Sequence, residues 1–404
     1  MAAPRMTPVR SLSTALASAR DLPDGPRRLV ELTEVAERAD GLAAPALGLA
    51  ARLDLLETAL GRGEGWRAPG PLRWCLSTVE HRPDLLPGED AQRLREAQEH
   101  TVAAALESPR LSLVDAVDLL DDLHRWLAAR GRPPGRAYRL RARLADHVGD
   151  REAARRWLAR ARDGGDDGCP ACAATDEVEL LAGWGDWSPA LRAAGPALAG
   201  GTRCPDAPER ALAGLLLPYL RSGQPATAAQ AHRLAWRRHR RERPARRLVA
   251  SHLRYLALAG RYRRGLAVLA AQLPGPDDPG PEGVTMELAA AGALLCRRAA
   301  DAAQEGTGPE LPDPDEPDTD EPDPDEPGTG GSDTDPPEAG ATGTGAADLR
   351  GLGARLWATA AALAARFDAR NGTAHQSDRL AGWYDAEPAI GHPAGGPAHP
   401  NRTG

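Results

Sequence analysis

Lysine is absent from this chain of 404 residues: all 50 of its basic side chains are arginine. That gap removes several chemistries at once. A Walker-type phosphate loop needs a lysine against the phosphates, and Schiff-base chemistry needs a side-chain amine. A protein kinase needs the lysine that pairs with its αC glutamate. Phenylalanine is nearly missing too, with Phe367 alone, and β-branched residues are sparse, which favours helix over strand. The five cysteines, Cys75, Cys169, Cys172, Cys204 and Cys296, do not make a disulfide framework. There is no run of about 18 apolar residues, so no membrane span is predicted. The first 22 residues carry arginine without the apolar centre of a secretory signal. They read as a frayed N-terminus rather than a transit peptide, and the expected location is cytoplasmic. G-x-S-x-G, HExxH and a strand-to-helix GxGxxG are also missing, so the chain is expected not to be an enzyme.

Charge is unevenly spread. Between Pro309 and Gly340 stand 13 acidic residues and no basic one, so the net charge of −7 hides a remainder with 44 acids against 50 arginines. The remainder is mildly basic. The acidic stretch, rich in proline and poor in apolar residues, has nothing to offset the entropy of ordering, and reads as an extended tether.

What the chain does have is repetition. Four segments share an apolar helix, a glycine turn and a second helix with small residues: LRARLADHVGDREAARRWLARA, EVELLAGWGDWSPALRAAGPAL, GLLLPYLRSGQPATAAQAHRLA and HLRYLALAGRYRRGLAVLAAQL. Their turn glycines, Gly149, Gly185, Gly223 and Gly260, lie 36, 38 and 37 residues apart. Five residues after each glycine come Ala154, Ala190, Ala228 and Gly265; nine after come Leu158, Ala194, His232 and Leu269; twelve after come Ala161, Ala197, Ala235 and Gln272. Small residues at one recurring place let two helices approach closely. A glycine supplies the left-handed conformation a helix end needs. One such hairpin cannot bury its apolar face alone, whereas a stack can.

On these residues the chain resembles a tetratricopeptide-repeat array, most closely from Arg136 to Leu273. The repeats run longer than the usual 34, and Gln272 departs from the final alanine. The segments RDGGDDGCPAC, HLRYLALAGRYRRGLAVL and RFDARNGT are similar to a tetratricopeptide-type family common in actinobacteria. That resemblance implies that the helix after the tether belongs to the same domain, with the tether as an insertion, and it implies no activity.

The expected fold is therefore all-α, a solenoid of tetratricopeptide-like hairpins with a disordered acidic insertion. Its parts are a flexible N-terminus (1–25), an N-terminal helical region (26–133), the repeats (134–303), the acidic linker (304–346), a terminal capping helix (347–372) and a flexible tail (373–404). The helices of the second part include a stripe of Leu113, Val117, Leu120 and Leu123 at helical spacing.

Three local features carry chemistry. Cys169-Pro-Ala-Cys172 has zinc-ligand spacing, and Cys204 falls in the next connection along the same edge of the stack, so three thiolates can converge. The fourth ligand is open among His232, His239 and Asp206, with His232 preferred. The alternatives are plain structural thiols or a redox CxxC. His232 and His252 are expected as neighbours, either as an interior pair or in a metal or pH-sensing role. From Arg221 to Arg264 run 13 arginines and one acid, Glu242, with Trp236, Tyr255 and Tyr262 interleaved. Read functionally, Arg233, Trp236, Arg237, Arg240 and Arg241 form a partner-binding surface. Read otherwise, the run is a solvated helix face, or a patch covered by the acidic tether. The expected role is a scaffold or regulator for a protein or peptide partner, with nucleic acid on the surface 233–247 as the alternative. The expected cofactor is at most a structural zinc.

Overall fold

The computed structural model describes residues 8–165, 168–199, 204, 207–240, 246–273, 280–304 and 346–388. Among them stand eighteen α-helices and no strand. No helix in the described part is long and apolar enough to cross a membrane.

The chain opens with α1 (Pro8–Arg20), α2 (Pro26–Gly41), α3 (Pro45–Gly61), α4 (Pro69–His81), α5 (Gly88–Glu107) and α6 (Leu113–Ala128). Prolines begin α2, α3 and α4, where the missing N–H would have no helical partner in any case. The expectation of a flexible 1–25 needs correcting. Leu12, Leu16 and Ala19 lie one turn apart on α1 and are buried against α2 and α3. An apolar stripe about two turns long docks the helix, and Arg20 adds an ion pair to Asp54 at 2.6 Å. On α6 the buried stripe is Ala116, Leu119, Leu120, Leu123 and Leu127, one step round from the expected one, so Val117 stays 40% exposed.

The repeats form four hairpins: α7 (Gly135–His147) with α8 (Arg151–Asp163), α9 (Pro170–Gly183) with α10 (Trp187–Ala193), and, after the short α11 (Gly195–Leu198), α12 (Glu209–Arg221) with α13 (Pro225–His239) and α14 (Arg246–Leu258) with α15 (Tyr262–Gln272). All four turn glycines are left-handed, with φ of 91°, 77°, 73° and 73°. Each turn closes in the same way. The amide just after the glycine donates to the carbonyl five residues back, Asp150 to Ala145, Asp186 to Leu181, Gln224 to Tyr219 and Arg261 to Leu256, at 2.8–2.9 Å. That bond satisfies a carbonyl the helix would leave orphaned.

The small register positions carry the close contacts. Ala154, Ala190 and Ala228 are fully buried, and a Cβ on Gly265 would stand 2.7 Å from Leu295 Cδ1. The first helices meet in succession: α7 packs on α9, α9 on α12, α12 on α14, and α14 on α16 (Glu282–Gln304). A buried ion network spans three of them. Asp176 on α9 accepts from Arg210 on α12 at 2.8 Å and from Arg136 on α7 at 3.1 Å. Burial works to raise the Asp176 carboxyl, yet Arg210, Arg143, Arg136 and Arg139 hold it well below its ordinary value.

The acidic segment, expected at 304–346, lies outside the described residues except for its two end positions. After it, α17 (Ala346–Asn371) packs along α16. Its far end reaches the first third of the chain: Arg370 donates to the carbonyls of Ala105 at 2.6 Å, Ser108 at 3.0 Å and Leu111 at 3.3 Å. The expected flexible tail from 373 is a second correction. Residues His375–Tyr384 form α18, with Leu380 buried against α16 and α17. The Gln376 side chain donates to the His147 carbonyl at 2.6 Å, and the Asp368 carboxylate caps the helix by accepting from the Gln376 and Ser377 amides. Residues 389–404 lie outside the described part.

Candidate metal centre

Cys169 stands at the N-cap of α9 in extended conformation, and Pro170 opens the helix directly behind it. The Cys169 carbonyl accepts from the Ala173 amide at 3.1 Å, so Cys172 falls in the first turn, close beside the cap. Cys204 comes from the connection that leads into α12. The buried apolar residues packed with them are all alanines: Ala171, Ala174, Ala197, Ala207 and Ala211. The Sγ atoms of Cys172 and Cys204 are 3.2 Å apart, and all three sulfurs lie within 4.8 Å of one another.

This spacing suits a thiophilic cation. Thiolates at a Zn–S distance of about 2.3 Å in a tetrahedral shell stand about 3.8 Å apart, so the three sulfurs need only small shifts to share one ion. The proton balance suits it too. Burial acts against ionising Cys169, but hydrogen bonds from the Cys172 and Ala171 amides and from the neighbouring thiols hold it below the ordinary thiol value. Burial, and the two thiols beside it, push Cys172 up. Ionisation is thus easiest at Cys169, and a bound cation would favour the thiolate form of all three. The remaining cysteines differ in kind. Cys75 and Cys296 are fully buried in apolar clusters, and burial pushes them up to about 12 and about 11.

No family model, no curated protein and no solved structure matches this chain.

The fourth ligand is not where the sequence suggested. Among the described residues the three cysteines form the one group close enough to share a cation, and His232 is not in it. The correction has a geometric cause. His232 lies in the middle of α13 and turns towards α14, where its Nδ1 meets His252 Nδ1 at 2.9 Å. His239, two turns further along α13, brings its Nδ1 to 3.1 Å from His252 Nε2. The three imidazoles are buried and form a single file, with His252 in the centre. A neutral ring has one N–H, so His252 donates across one contact and accepts across the other. Burial pushes His232 down to about 3, with Arg264 and Arg233 adding to it, and holds His252 well below its ordinary value, with the other two imidazoles adding to that. Asp206, the weaker ligand candidate, lies outside the described residues.

The expected partner surface is only partly available. Trp236 is buried, stacked on His232 with an interplanar angle of 8° and edge-on to His252, so it cannot stack on a base or a partner. Arg233 is half-buried, Arg237 and Arg240 are exposed, and Arg241 lies outside the described residues.

A groove that the sequence reading missed lies between α6, α7 and α8. Leu113, Val117, Leu120, Leu144, Val148 and Trp157 line about 230 Å³ of it, with Arg141 and Asp150 among the polar lining groups. Val114, near its edge in sequence, is 70% exposed. The signal was present in the run LVDAVDLL, which carries more apolar residues than one buried stripe can absorb.

Proposed function

We propose that this chain is a non-enzymatic scaffold, a tetratricopeptide-like solenoid that docks a protein or peptide partner. In this reading Cys169, Cys172 and Cys204 hold a structural zinc that clips the α9 hairpin to the α12 hairpin. The observation that carries the docking role is the apolar groove with Val117 open to solvent beside Leu113, Leu144 and Trp157. Apolar walls with a few polar groups are what a partner's apolar side chains need. The zinc would contribute by fixing how two hairpins meet, with the three thiolates as its protein ligands.

Selection of displayed peptides on the full-length protein tests the docking role. The expected result is a set of binders whose affinity falls at least tenfold on Val117→Asp, with the circular dichroism and thermal midpoint unchanged. Binders indifferent to Val117→Asp and Val114→Asp, or no binders at all, would sink it. A second reading, nucleic acid on the surface 233–247, keeps some support from exposed Arg237 and Arg240. It requires that affinity for a duplex or single strand fall steeply with salt and weaken on Arg237→Ala with Arg240→Ala.

A further inference from the structure

Three of the five cysteines share an environment that the other two lack. Cys75 and Cys296 are closed off in apolar cores, whereas Cys169, Cys172 and Cys204 are half-buried and open to a small solute. Within the open group one pair stands out. Cys172 is in the first turn of α9 and Cys204 is in the segment entering α12, 32 residues on, and their sulfurs are already in contact at 3.2 Å.

We propose that Cys172 and Cys204 are an oxidisable pair, joined by a hydroperoxide into a disulfide that ties the two hairpins and dissolves the three-thiolate site. One thiolate attacks the peroxide oxygen, breaks the O–O bond and becomes a sulfenic acid, and the leaving group departs as an alcohol or water. The second thiol then attacks that sulfur, forms the S–S bond and expels the hydroxyl as water. Two thiols lose two electrons and the hydroperoxide gains them. With two of three thiolates consumed, Cys169 alone cannot retain a cation, so oxidation and cation binding exclude each other.

Sulfurs on different elements make this a link between hairpins. A Cys169–Cys172 bond would close a ring within the start of one helix and leave the α12 segment untouched. The proposal rests on the cluster of sulfurs and not on its occupation by a metal, so the two readings can fail separately.

The chain provides its own assay, because cleavage after arginine puts Cys169 and Cys172 in the peptide 163–192 and Cys204 in the peptide 204–210. Full-length protein, once metal-free and once loaded with zinc, is treated with one equivalent of hydrogen peroxide and mapped by mass spectrometry without reduction. The expected result is a cross-link between those two peptides and two of the five thiols lost. The link should persist in Cys169→Ser and vanish in Cys172→Ser, and dithiothreitol should reverse it. In the loaded sample zinc should appear in solution in proportion to the link. A bond confined to the peptide 163–192, a link that survives Cys172→Ser, or thiols that resist peroxide would each overturn the proposal. Zinc that binds one per chain and stays bound through peroxide treatment would also overturn it while leaving the metal reading intact. Metal-free protein that forms the link and never takes up zinc would do the reverse.

Discussion

The cysteine cluster and the histidine chain are each built where consecutive hairpins meet, and each gathers three residues of metal-binding type. Their settings differ. The sulfurs meet at the N-terminal end of α9, among alanines and within reach of solvent. The imidazoles meet between α13 and α14, with Trp236 packed against two of them and Tyr255 against His232. In the first place the three sulfurs lie within 4.8 Å of one another; in the second each ring bonds to the next ring. A cation can enter the first and would have to break hydrogen bonds to enter the second.

That contrast can be broken or sharpened by experiment. The largest effect is expected at His252, which is fully buried and bonded on both sides. His252→Ala leaves a cavity and takes the partner from His232 Nδ1, and should cost about 3–5 kcal/mol in chemical denaturation; a cost below about 1 kcal/mol would mean the chain of rings is not structural. Next comes zinc. Excess zinc at about 100 times its Kd should raise stability by about 2.7 kcal/mol. The rise should disappear in Cys172→Ala and survive in His232→Ala. Zinc binding lost with the histidine would erase the distinction drawn above.

Acid should separate the two regions further. The folded pKa of His232 is about 3 against an ordinary value of 6.5, and that of His252 is also depressed. The folded state therefore prefers neutral rings. Their contribution is complete above about pH 6.5 and declines as the pH falls towards about 3, by about 1.4 kcal/mol per pH unit for each ring still neutral when folded. The thermal midpoint, followed from pH 7.5 to pH 4.5, should drop more steeply in the wild type than in His252→Gln. Equal slopes would assign the acid sensitivity elsewhere. The smallest effect is expected at Val117, where Asp should change stability by under about 0.5 kcal/mol. A large loss there would make the groove a piece of core.

Much of this architecture was legible in the residues. Gly149, Gly185, Gly223 and Gly260 were readable because a left-handed turn leaves few other choices, and the small residues five positions on because close helix approach demands them. The convergence of Cys169, Cys172 and Cys204 followed from spacing plus the shared edge of consecutive hairpins. The misses have physical causes too. A register position says which way His232 points but not what waits there, so its partner His252 was found while the metal role was misplaced. Trp236 sits in an arginine run and reads as surface, yet on α13 it shares the buried side with His232 and His239. Helices α1 and α18 are short, and their few apolar residues have meaning only against the helices that receive them.

The grip of Arg370 on the carbonyls of Ala105, Ser108 and Leu111 spans about 260 residues of chain. As the polypeptide leaves the ribosome, those carbonyls wait for a cation that is made about 260 residues later. The connection between α5 and α6 therefore stays unlatched until α17 has been made, and a chain that stops short of residue 370 leaves it so. Loss of the last turn of α17 should thus be felt first as loosened backbone around residues 105–111, readable as faster amide exchange far from the cut.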